Sequence, residues 1–118
     1  MLEVDELARV LAILIAEQNN YTYVDKLGNA PSKELAIFHI REALRDFNSL
    51  LAKENFSNKK AKEEVSKVYF KGLDEQINEL SKISDRRKLK EMVSLIGAKA
   101  LTMAARLKVA EKGEEVRS

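Results

Sequence analysis

Val4–Gln18 reads VDELARVLAILIAEQ, and the spacing of its apolar residues decides the fold class. Leu7, Leu11, Leu14 and Ile15 recur at the period of one helix face. Val10 and Ile13 widen that stripe beyond half the circumference. Asp5 and Glu6 fall in the first turn, where negative charge suits the helix dipole. A helix this widely apolar either sits at the centre of a bundle or is covered by a second protein.

Working outward, Asn19–Ala30 reads as a connector. Asn19-Asn20 and Gly28-Asn29 are turn formers, and Tyr21-Thr22-Tyr23-Val24 between them has local strand character. Pro31 suits the first turn of a second helix that runs to about Lys53. Ile37, Ile40, Leu44, Phe47 and Leu51 give this helix a heptad-like seam. Asn55–Asn58 breaks the pattern, and Ser57 or Asn58 can cap the next helix by accepting a bond from a free backbone N–H.

A third helix is predicted over Lys59–Ile83, with Val65, Val68, Tyr69, Leu73, Ile77 and Leu80 on its apolar face. Gly72, at the edge of that face, permits close helix contact. Ser84 or Asp85 caps a fourth helix carrying Leu89, Met92, Val93, Ile96, Ala100, Met103, Ala104 and Leu107. Gly113 reads as its stop, with residues 114–118 a frayed tail. The expectation is an all-α fold: one domain over residues 1–118, an antiparallel bundle of about four helices.

Composition agrees. Of 118 residues, 45% are apolar and 34% charged, too apolar for disorder and too charged for a membrane protein. The absence of Cys excludes disulfides and thiolate-bound metal. The longest apolar run, Val10–Ala16, falls far short of the ~20 residues of a membrane-spanning helix. The N-terminus lacks the basic flank and cleavage site of a secretory signal. A soluble cytoplasmic protein without membrane contact is expected.

Catalytic chemistry has no residue to rest on. His39 is the only histidine, and it points about 130° away from the mean direction of Ile37, Ile40 and Leu44. It should face solvent or a partner. No E-x-x-H or H-E-x-x-H spacing completes a metal site. Gly28 stands alone, with no glycine-rich phosphate loop around it. The chain therefore reads as a non-enzyme with no cofactor and no metal.

Charge is more informative. Residues 1–55 carry six basic and nine acidic side chains, a net of −3. Residues 56–118 carry fifteen and ten, a net of +5. Within the basic half, Lys60, Lys67 and Lys71 fall within about 40° on the expected third helix. Lys88, Lys99 and Arg106 fall within about 20° on the fourth, and Arg86 and Arg87 join them at the turn. Rows of cations on rigid helices can follow a phosphate backbone, releasing counterions with each contact. The bland alternative is a solvated face. No aromatic is interleaved with the cations, so contacts to backbone rather than bases are expected.

Apolar residues outside the main stripes form a second surface feature. Ile13, Phe38, Leu50, Phe70, Leu95, Leu101 and Val109 either fatten the core or mark a protein interface.

One stretch resembles a known family. The apolar first helix, then Tyr21-Thr22-Tyr23-Val24-Asp25-Lys26-Leu27-Gly28-Asn29-Ala30, then a helix opening at Pro31-Ser32, resembles the small subunit of archaeal type I-A CRISPR interference (Cascade) complexes. The resemblance covers roughly residues 5–50. It implies a helical, non-catalytic subunit present in several copies along the belly of a crRNA-guided effector complex. It also implies a role in supporting target or displaced DNA, with cleavage left to other subunits. No family binding motif carries over residue by residue, so the candidate cations come from periodicity alone.

The function expected is a non-catalytic small subunit of a CRISPR effector complex, acting in antiviral defence. Its partners would be the other subunits, the crRNA with target or displaced DNA, and further copies of itself. The alternative is a helical protein-protein interaction adaptor without a nucleic-acid role. A small DNA-binding regulator would need a short recognition helix after a tight turn, which these long helices do not offer.

Overall fold

The protein is described by a computed structural model covering residues 4–117, with side chains described through Gly113. The described residues form six α-helices: α1 (Asp5–Gln18), α2 (Thr22–Gly28), α3 (Lys33–Lys53), α4 (Lys59–Val65), α5 (Phe70–Ser81) and α6 (Arg86–Arg117). The all-α expectation holds, and the count of about four helices does not.

Helix α1 is the axis of the core. Leu7, Ala8 and every residue from Val10 to Ala16 are buried, so the wide apolar stripe is covered by the chain itself. Helices α3, α5 and α6 close around it with Ile40, Phe47, Leu73, Ile77, Leu80, Ile96, Ala100 and Ala104. Asp5 at the start of α1 meets Lys99, and Asn19 just past its end meets Lys108. Helices α1 and α6 therefore run in the same sense, not antiparallel.

Two departures have local causes. The connector is helical over α2. Asn20 Oδ1 accepts from the backbone N–H of Thr22 at 3.0 Å and opens the helix, and burying Leu27 anchors it. Burial of Leu27 outweighs the extended preference of Tyr21–Val24. The second departure splits the expected third helix, because Ser66–Tyr69 breaks it into α4 and α5. Ser66 Oγ turns back to the carbonyl of Glu63 at 2.8 Å, a local bond that competes with helix propagation.

The break is held from α1. Glu6 Oε2 accepts from the backbone N–H of Tyr69, the N-cap of α5, at 2.8 Å. Arg9 bridges Glu6 at 2.8 Å and Glu64 at 3.1 Å. Gly72 does permit the close approach read from sequence. A Cβ there would lie 2.9 Å from Tyr69 Cδ2 and 3.4 Å from Glu6 Cγ.

The caps read from sequence hold at Asn58, whose Oδ1 accepts from the N–H of Ala61 at 2.9 Å, and at Asp85. Glu17 of α1 adds a carboxylate at the start of α4, accepting from the N–H groups of Ser57 at 2.6 Å and Asn58 at 2.9 Å. Gly113 does not stop α6, which continues to Arg117. A 32-residue helix is ~48 Å long at ~1.5 Å per residue, so α6 alone accounts for the 50 Å long axis of the molecule.

Candidate nucleic-acid interface

The structure sorts the eight sequence-selected cations into those held by acids and those left to solvent. Lys60 Nζ lies 3.3 Å from Glu63, and Lys67 Nζ lies 3.3 Å from Glu64. Lys67 also falls in the break between α4 and α5, so Lys60, Lys67 and Lys71 share no helix. Lys71 is exposed on α5, alone. The first stripe is thus dissolved by the break and by neighbouring carboxylates.

The second stripe is interrupted. Lys99 donates to Asp5 at 2.5 Å, which removes the middle cation of the row. Lys88 and Arg106 remain exposed but stand ~27 Å apart along the helix.

The cations of the α5–α6 turn stay together. Arg86, Arg87 and Lys88 are exposed, and none makes an ion pair among the described residues. Asp85 Oδ1 accepts from the backbone N–H of Arg87 at 2.9 Å and of Lys88 at 3.4 Å. That cap fixes the first turn of α6, so three successive cationic side chains fan out from a rigid point. Lys90, one turn beyond Arg86, extends the cluster and is also exposed.

Two reciprocal straps join this turn to the start of α3. The Arg86 guanidinium donates to the carbonyl of Pro31 at 3.3 Å, and Lys33 Nζ donates to the carbonyl of Ile83 at 3.4 Å. Sequence reasoning missed Lys33 and Lys90. The Arg86–Lys90 spacing of one turn was legible. Lys33 lies in the acidic half, and only the tertiary fold brings it here.

The spare apolar residues divide in the same way. Ile13 and Leu50 are core, whereas Phe38, Phe70, Leu95, Leu101 and Val109 are exposed. Tyr21, Leu35 and Tyr69 join the exposed set. Phe70 is partly sheltered by Phe47, with ring centroids 6.1 Å apart.

His39 is half-buried, 3.5 Å from Glu42 and edge-on to Phe38. Among the described residues, no group of three or more His, Asp or Glu side chains is placed to hold a metal ion. No described helix is long and apolar enough to cross a membrane.

The start of α6 is thus capped and rich in exposed cations, with exposed apolar side chains elsewhere on the molecule. The family model described as "CRISPR-associated protein (Cas_Csa5)" matches residues 10–116. An "Uncharacterized protein" of the archaeon Archaeoglobus fulgidus is 50% identical over 103 residues, covering 87% of this chain and 89% of that protein. No solved structure matches the chain. The resemblance carried by Tyr21–Ser32 and the match across nearly the whole length agree, and the chain belongs to the Cas_Csa5 family of CRISPR-associated proteins, the family of the type I-A Cascade small subunit.

Proposed function

We propose that this chain is a non-catalytic small subunit of a crRNA-guided CRISPR effector complex. In this reading it scaffolds the assembly and supports target or displaced DNA with the start of α6. The observation that carries the reading is the exposed run Arg86-Arg87-Lys88, free of ion pairs among the described residues and set on a capped helix turn. Cations outside ion pairs keep their charge for phosphate, whereas Lys60, Lys67 and Lys99 already direct theirs at neighbouring carboxylates.

The helical stripes narrow accordingly: Arg86, Arg87 and Lys88 make the main contacts, with Arg106 and Lys71 as outlying ones. A single copy offers few phosphate contacts, so affinity would come from several copies acting along one strand. Cytoplasmic location and self-association belong to the same reading.

The exposed side chains Phe38, Tyr69, Phe70 and Val109 favour a second element, an interface with larger subunits. The adaptor reading keeps that interface and drops the nucleic acid. Co-purification separates the two. The proposal predicts that an Arg86→Glu, Arg87→Glu, Lys88→Glu variant still joins the guide-RNA-loaded complex, which then retains less target DNA. Full retention of target DNA by that complex would favour the adaptor.

A further inference from the structure

Between the α2–α3 turn and the start of α6 lies a groove of about 160 Å³. Its floor is apolar, made by Leu27, Ala36, Leu89 and Val93, and Lys33, Arg86 and Lys90 line it with no acidic residue among them. Two straps hold its lining: one joins Arg86 to Pro31, and one joins Lys33 to Ile83, which itself lies outside the lining. They use one donor of Arg86 and one of Lys33, leaving four guanidinium N–H groups and two ammonium N–H groups free. Ser94, at the rim, makes no hydrogen bond through its side chain among the described residues.

Three features restrict the occupant. Three cations without a counter-charge call for an anion. The volume is below the ~300 Å³ at which small-molecule pockets begin, so the groove takes one unit of something larger. The apolar floor needs a flat or apolar part beside the anionic group. A second groove shares Arg86, Lys90 and Ser94 with the first and adds Arg87 and one acidic residue, Glu91, so three cations face a single carboxylate there. A strand lying on Arg87 passes this opening.

We propose that the groove holds a single nucleotide of a single-stranded segment. Its base lies in the groove against Leu27, Leu89 and Val93, and its sugar and phosphate stay at the mouth, the phosphate on Arg86 and Lys90. The fork of Arg86 suits two oxygens of one phosphate, and Lys33 closes the far side as a point charge. The Ser94 hydroxyl meets the base edge as donor or acceptor, with no preference for one base. This assignment rests on the nucleic-acid reading of the start of α6 and adds Lys33, Lys90 and Ser94 to it.

The test uses the full chain and two fluorescein-labelled probes: a short oligothymidylate, and a sugar-phosphate chain of equal length without bases. The wild type should bind the oligothymidylate more tightly. Ser94→Phe, a change at an exposed position, fills the groove and should reduce oligothymidylate binding to the level of the base-free chain. Arg86→Gln with Lys90→Gln removes two phosphate contacts and should lower the slope of log K against log salt by about 1.4, at about 0.7 per contact.

A second readout needs no variant. Acetylation of Lys33 and Lys90 in the folded protein should be suppressed when oligothymidylate is bound. Equal binding of the two probes, or equal acetylation with and without oligonucleotide, overturns the pocket. If Ser94→Phe is silent while Arg87→Glu with Lys88→Glu weakens binding, the pocket fails and the nucleic-acid surface stands. If neither matters, that surface fails as well. Protection of Lys33 and Lys90 by an oligoglutamate peptide but not by oligothymidylate would make the groove a protein-docking site and overturn the proposal.

Discussion

Gln76 Oε1 accepts a hydrogen bond from the backbone N–H of Leu7 at 3.1 Å, across 69 residues of sequence. Leu7 lies in the first turn of α1, where N–H groups have no intrahelical partner, and Val4 at the N-cap has no polar side chain to offer. Helix α5 therefore caps α1 from outside. In return, Glu6 of α1 accepts from the N–H of Tyr69 at the start of α5. Each helix begins by leaning on the other, and the Glu6–Tyr69 bond sits at the helix break that splits the predicted third element.

Gln76→Met keeps the volume and removes the acceptor. It leaves the Leu7 N–H buried without a partner, so the unfolding free energy should fall by about 1–3 kcal/mol. Urea denaturation followed by circular dichroism reads this. An unchanged midpoint would mean that the bond contributes nothing net.

Tyr23 gives a pH signature. Burial, then the adjoining Asp46 carboxylate 2.9 Å away, push its phenol up from 10.0 to about 12. The folded state thus holds a proton that the unfolded chain releases first. This contribution is complete below pH 10.0 and is lost as pH rises toward about 12. Tyr23→Phe should flatten the fall in stability across that window and remove the highest step from the ultraviolet phenolate titration. A titration in which all tyrosines ionise together in the wild type would contradict the assignment.

Gly97 makes room for α2. A Cβ there would lie 3.1 Å from Val24 Cγ1, tighter than ordinary packing. Gly97→Val should push α2 off α6 and destabilise the fold by about 1–3 kcal/mol through overpacking. Shortening the opposing side chain, in Gly97→Val with Val24→Ala, should recover part of the loss. Two losses that simply add would mean that the residues do not touch.

Lys67 and Lys99 belong to the rows picked out by helical spacing, yet Glu64 and Asp5 hold them. Lys67→Ala and Lys99→Ala should leave oligonucleotide binding unchanged. Stability should fall by no more than ~1 kcal/mol, the usual worth of an exposed pair. A loss of binding equal to that of Arg87→Ala would restore the original stripes.

What the sequence revealed and what it hid have the same origin. Helices α1, α3 and α6 were legible because each has a long apolar period that its own burial satisfies. Helix α2 was hidden, since Tyr21–Val24 prefers extended backbone in isolation and only the burial of Leu27 and the contact of Val24 at Gly97 decide otherwise. The Ser66–Tyr69 break was hidden because the apolar period of Val65, Val68, Tyr69 and Leu73 continues through it. Its stitches come from Glu6 and Arg9, far away in sequence. The site followed the same rule. Arg86, Arg87 and Lys88 were visible as a cluster at one turn. Lys33 was not, because its place beside them is set by a strap to Ile83.

The most direct measurement is the salt dependence of target-strand binding by the guide-RNA-loaded complex, reconstituted with wild-type chain or with Arg86→Gln, Arg87→Gln and Lys88→Gln together. Removing three phosphate contacts per copy should weaken binding at low salt. It should also make the slope of log K against log salt shallower by about 2 for each copy engaged, at about 0.7 per contact. Superimposable lines for the two complexes, with equal subunit content, would contradict a role for the start of α6 in holding the strand.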